Sequence, residues 1–392
     1  MTRASGNKNK NESFLSPIWD RKLSRKQWLW GALSAFGVLG IGTYAISKQK
    51  EKSSVSKSLI LQSVPLHFQW PTSDPFLFCV HHEDHYPQGN GKFGPKASLS
   101  GRDIGQDFEG KDGWRMYHGE TIPGFPGHPH RGFETVTVVQ KGLVDHADSL
   151  GAAGRYGDGD VQWMTAGGGV QHSEMFPLLH EDKENPLELF QIWLNLPGKN
   201  KFVPPHFTML WNESIPVRET KDNSGKKLKV KTVAGSLFGD KPLAPPPNSW
   251  AADSGNEVGI YVLEFEENAK FNIPAASQGL NRSLYYFRGE GLSLNGESLA
   301  GSTMYRVPSE AELEIQNGDT AGKILILEGK PIGEPVVKYG PFVMNSPEEI
   351  QQAFNDYRRT EFGGWPWPSS YPVHKGAGRF AKHADGREET PT

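Results

Sequence analysis

Residues 124–176 read GFPGHPHRGFETVTVVQKGLVDHADSLGAAGRYGDGDVQWMTAGGGVQHSEMF, and the architecture of the chain follows from them. They hold two doublets of metal-ligand type, His128-Pro-His130 and His172-Ser-Glu174. Side chains on a β-strand alternate faces, so residues at i and i+2 point the same way. Two such strands side by side aim three imidazoles and one carboxylate into one space, a donor set that suits first-row metals. A lone His-x-His says little, because most histidines end as hydrogen-bonded core or surface residues. Here the context adds weight. Val136-Thr-Val-Val139 is a β-branched run and reads as strand. Lys141-Gly142 is a turn signal, Gly157-Asp-Gly-Asp160 a second, and Val161-Gln-Trp-Met164 a second strand. Strand, turn and strand with ligands at matching ends build a site in the mouth of a small antiparallel barrel.

The motifs HPHRGFETVT (128–137) and GDVQWMTAGGGVQHSE (159–174) resemble the pirin family, a branch of the cupin superfamily. The likeness runs from Asp74-Pro-Phe-Leu-Phe78 to Gly340-Pro-Phe-Val-Met-Asn345, with one insertion. It implies an all-β chain of two tandem antiparallel cupin-type barrels, a bicupin, with iron in the first. It places the ligands on His128, His130, His172 and Glu174. Spacing alone does not choose between Glu174 and Glu134, which lies four residues after His130, where the general cupin motif takes its carboxylate. The resemblance favours Glu174 and sets Glu134 behind the ligands. The chain departs from the family at Gly168, where arginine is usual, and this bears on substrate preference.

The 392 residues suffice for two domains and extensions, and 45 glycines and 29 prolines favour a turn-rich β architecture. A net charge of −3 argues against a nucleic-acid partner. A single cysteine, Cys79, excludes an intramolecular disulfide and leaves the compartment unread.

The expected organisation is a basic N-region with an apolar helix (1–47), a linker (48–63), a metal-binding cupin domain (64–220), a second cupin domain (221–335), and a helix with an extended tail (336–392). Residues 28–46, WLWGALSAFGVLGIGTYAI, are uncharged and would span about 28 Å as a helix. They read as a membrane anchor or a cleaved signal, with Ser24-Arg-Lys-Gln-Trp-Leu29 resembling a twin-arginine export sequence. The expected location is therefore membrane-anchored or exported, with the barrels outside the cytoplasm.

Residues 81–120 read as a polar loop rimming the first barrel, and Val217–Lys221 as a charged connection. Leu187–Asn195 reads as a strand covered on both faces. No histidine lies between His206 and His374, so the second barrel cannot hold a three-histidine site and is expected to be a scaffold. Ser346-Pro-Glu-Glu349 gives an N-cap, a first-turn proline and a capping-box glutamate for a helix over 346–358. Residues 382–392 are expected to be disordered.

The resemblance implies a metal-dependent, quercetin 2,3-dioxygenase-like activity on a small aromatic or flavonol substrate. Ferrous iron is the expected metal, although the same donors accept other first-row divalent ions. Glu174 would take the substrate's hydroxyl proton, with Phe133, Trp163 and Met164 as apolar walls. The alternatives are an iron- or redox-sensing binding protein that regulates a protein partner, and a purely structural metal.

Overall fold

The computed structural model describes residues 58–392. The first barrel is built from β1 (Phe76–Tyr86), β2 (Gly124–His130), β3 (Phe133–Lys141), β4 (Leu143–Asp148), β5 (Ala153–Gly157), β6 (Val161–Thr165), β7 (Val170–Met175), β8 (Asn185–Asn195) and β9 (His206–Leu210). One antiparallel sheet runs β9-β6-β3-β8-β1 and ends on Gln69–Trp70. The facing sheet runs β5-β4-β7-β2, with β2 at its edge.

Period-2 patterning decides which side chains enter the site. On β8, Gln191 and Trp193 face the interior of the first barrel. Phe190, Ile192 and Leu194 face away and join Val136, Val138 and Trp163 in a core shared with Val233, Ile260, Val262, Leu325 and Leu327 of the second barrel. Each such side chain removed from water contributes roughly 1.5–3 kcal/mol. The outer face of the β3/β8 sheet is thus the docking surface for the second barrel, and its inner face is left for the site.

The second barrel packs a seven-stranded sheet against a four-stranded one. Its longer central strands are Lys227–Ala234, Gly259–Phe265, Asn281–Arg288 and Gly322–Gly329. Val217–Lys221 is not a connection but the edge strand of this sheet, fully exposed and paired with Lys227–Lys231. Its charged side chains discourage further edge pairing.

Both ends of the described chain cross over. Gln62–Pro65 pairs with Thr303–Pro308 of the second barrel, and Phe380–Lys382 pairs with β5 of the first. Ala381–Lys382 also pairs with Glu388–Glu389, so the stretch expected to be disordered contains a hairpin. The helix α1 (Pro347–Thr360) carries the expected capping box on Ser346 and Glu349. It buries Ile350 and Ala353 against Phe342 and Met344.

One further expectation changes. Residues 81–86 are strand, not loop, because β1 continues to Tyr86 along β8. The segment that follows folds back on it: Arg115 and Tyr117 both bond Asp84, burying what read as solvent-exposed charge. The expected N-terminal helix at 28–46 lies outside the described residues. Among the described residues no helix is long and apolar enough to cross a membrane.

Candidate metal centre

The two doublets sit on neighbouring strands, β2 and β7. In their register His128 opposes His172, and His130 opposes Val170. A bulge between Phe125 and His128 sets Pro126 and Gly127 against Ser173 alone, and the register beyond it places His128 opposite His172. Ligand-type nitrogens of His128, His130 and His172 all lie within 4.8 Å of one another.

Hydrogen bonding fixes which nitrogens are bare. Nδ1 of His128 faces the Pro126 carbonyl at 2.9 Å, and Nδ1 of His130 faces the Pro341 carbonyl at 3.4 Å. Carbonyls only accept, so both protons sit on Nδ1 and both Nε2 atoms present lone pairs. Those two Nε2 atoms are 3.1 Å apart. The third ring, His172, is fully buried with neither nitrogen hydrogen-bonded. Burial, above all, holds His128 down to about 4 and keeps His130 and His172 well below the usual imidazole value. Three neutral imidazoles with converging lone pairs repel one another in the absence of a cation. With one they form a ligand set, so the residues present fit a divalent metal.

Glu174 lies beside the triad but outside that 4.8 Å group, its Oε2 3.9 Å from His172 Nε2. Gln191 donates to Oε2 at 2.9 Å, and the Thr137 hydroxyl stands 3.1 Å from Oε1. Burial raises its pKa, partly offset by His146, Thr137 and Gln191. Glu134 is elsewhere. On β3, Thr137 faces inward, so Glu134, three residues away, faces outward toward the second barrel. There it accepts hydrogen bonds from Thr165 and Ser249 at 2.6 and 2.5 Å.

The same alternation corrects the expected walls. Trp163 points away from the site into the core between the barrels, and Met164 packs in the interior core. Phe133 stays near the centre, 5.0 Å from the His130 ring. Sequence reasoning missed Trp193 and Phe78, whose tilted rings lie 4.2 Å apart with Trp193 5.3 Å from His130, and Phe125, 6.3 Å from His128. All three missed rings are half-buried. It also missed His146, which opposes Glu174 on β4, is fully buried and leaves Nδ1 without a partner. The spacing of His146 and Asp148, another i, i+2 pair, was the available signal.

The loops holding the ligands need close backbone approach. Gly132 has φ +86, and a Cβ there would stand 2.0 Å from the Val343 carbonyl oxygen. Arg131 donates to the Gly168 carbonyl at 2.7 Å and to Asp356 of α1 at 2.9 Å, tying the two ligand loops to the helix.

Known proteins resemble this chain over both barrels. The pirin family model matches residues 69–194, and the pirin C-terminal cupin domain model matches 260–363. A Pseudomonas aeruginosa protein provisionally named a quercetin 2,3-dioxygenase is 39% identical over 60% of this chain and 79% of its own length. Pirin-1 of Arabidopsis thaliana is 35% identical over 61% of this chain and 78% of its own. The crystal structure of a quercetin 2,3-dioxygenase from Acinetobacter baumannii superposes with a TM-score of 0.61 at 26% identity, covering 78% of this chain and 98% of that one. The family matches fall on the two barrels and leave 28–46 outside them. The expectation of a membrane-anchored or exported protein is corrected: among the described residues no helix is long and apolar enough to cross a membrane, and the relatives match the chain over its barrels.

Proposed function

Because this chain belongs to the pirin family, we propose that it is an iron-dependent dioxygenase acting on a flavonol-like aromatic substrate. One observation carries the metal half of this reading: two bare Nε2 atoms 3.1 Å apart beside a buried imidazole with no hydrogen bond. His128, His130 and His172 would hold the ion, with Glu174 adjacent. Bound there, ferrous iron supplies the redox chemistry that couples an aromatic substrate to dioxygen.

The chain's own residues account for the rest. Phe78, Trp193 and Phe125 flank the triad as half-buried rings against which a planar substrate stacks. Glu174, its pKa raised by burial, accepts the hydroxyl proton of the substrate at a carboxylate oxygen. Thr137 and Gln191 hold that carboxylate in place while it does so. The names of the Acinetobacter and Pseudomonas relatives support the substrate class.

The test is oxygen uptake by the full chain, loaded anaerobically with ferrous iron and mixed with quercetin, with His172→Ala as control. Substrate-dependent uptake in the native protein and none in the variant is expected. No uptake with iron confirmed bound would overturn the oxygenase reading and leave a metal-binding protein whose partner affinity follows iron oxidation state.

A further inference from the structure

His128 is held by a peptide unit that the far end of the chain controls. The Pro126–Gly127 peptide lies in the bulge of β2, outside the β2/β7 ladder. Its carbonyl accepts the Nδ1 proton of His128 at 2.9 Å. Its N–H, on the same rigid plane, donates to the Ser370 carbonyl at 2.6 Å. The Trp365 indole lies flush on the bulge, so that a methyl group added at Gly127 would stand 3.3 Å from its Cζ2. Trp365 Nε1 donates to the Ser369 carbonyl at 2.7 Å, closing 365–370 into a compact loop that presents both contacts to Gly127.

The hydrogen bonds form one chain: Ser370 carbonyl, Gly127 N–H, Pro126 carbonyl, His128 Nδ1–H. Rotating the peptide plane to release the first bond also turns the last acceptor away from the imidazole. A bulged peptide has no ladder partner to hold it, so the tail loop is what fixes its orientation. Groups that bond the far nitrogen of a ligating histidine set both its tautomer and its aim.

We infer that the loop 365–370, anchored by Trp365, is a positioning element for His128. It sets the aim of Nε2 through the Pro126–Gly127 peptide from about 240 residues away in sequence. This rests on the triad holding a metal, but not on turnover.

The experiment is cobalt(II) binding to the full chain by chelator competition, read together with the visible ligand-field spectrum. Trp365→Ala is expected to weaken cobalt binding by tenfold or more, about the loss seen when the partner of a ligating histidine is removed, and to shift the absorption bands. Trp365→Phe keeps a ring on Gly127 but loses the bond to the Ser369 carbonyl, and should restore both in part. Gly127→Ala, which crowds the same contact from the other side, should weaken binding while Trp365 is intact. Thermal unfolding of the metal-free variants separates misfolding from misaimed ligation, since Trp365→Phe and Gly127→Ala leave the tail strand in place. Wild-type affinity and spectrum in both Trp365→Ala and Gly127→Ala would overturn the inference. A native protein that binds no more cobalt than His172→Ala would instead overturn the metal reading, and this one with it.

Discussion

Glu134→Gln tests the placement of the two carboxylates and has a calculable pH signature. Burial between the barrels pushes the Glu134 carboxyl up from 4.5 to about 7, against the lowering effect of its hydrogen bonds from Ser249 and Thr165. A raised folded pKa means that the neutral form is the stabilised one. Its contribution is complete below about 4.5 and is lost as pH rises through about 7. At roughly 1.4 kcal/mol per pH unit, ionising it in the folded state costs about 3 kcal/mol, of which about 2.5 falls between pH 5 and 8. Glutamine keeps the shape and one acceptor oxygen, and its amide N–H donates to the other hydroxyl in place of accepting from it, but it cannot ionise. The assay is thermal unfolding of native and variant protein at pH 5, 6, 7 and 8. The variant should gain on the native protein by about 5 °C across that range and be the more stable at pH 8. Its metal content should be unchanged, because Glu134 faces away from the triad. Parallel pH profiles, or metal lost with Glu134, would refute the reasoning.

Replacing a ligand should act differently: His172→Ala should lose its metal by elemental analysis, with little change in unfolding of the metal-free protein. Trp193→Leu removes the ring beside Phe78 and His130; steady-state kinetics should show KM for a flavonol rising about tenfold with metal content intact. Lys201 is buried, and its ammonium donates to the Gly132 carbonyl, Asn195 Oδ1 and the Val343 carbonyl, joining the HPHRG loop to the segment before α1. Lys201→Met leaves three buried acceptors unpaired and should cost about 3 kcal/mol or more in urea unfolding; a loss under about 1 kcal/mol would contradict this role.

Legibility in the sequence followed the range of the interactions involved. Period-2 alternation alone assigns Gln191 and Trp193 to one face of β8 and Phe190 and Ile192 to the other. The same rule, applied to the consecutive residues Trp163 and Met164, forbids both from lining one pocket. The i, i+2 spacing of His128 with His130 was enough to put two rings on one side. Long-range pairing was invisible. Nothing local marks His82 and Asp84 as buried, because the residues that cover them, Arg115 and Tyr117, lie some thirty positions on. The Trp-Pro-rich tail reads as surface covering, and only the Gly127–Ser370 bond reveals what it covers. Glu134 and Glu174 could not be told apart by spacing, since the choice depends on which face of the β3 sheet the second barrel occupies.

The crossing of Phe380–Lys382 onto β5 has a consequence for how the molecule is made. During synthesis, strands β1 to β9 are complete once residue 210 has emerged, yet the β5 edge of the metal-bearing sheet then has nothing to pair with. At ribosomal speeds of about 5–20 residues per second, its partner arrives roughly ten to thirty seconds later. For that interval the nascent chain holds a ligand set with an open edge and, without 365–370, an unsteadied bulge. On the positioning proposed for His128, a metal would find the completed ligand set only after the second barrel and residues 365–370 have both been translated.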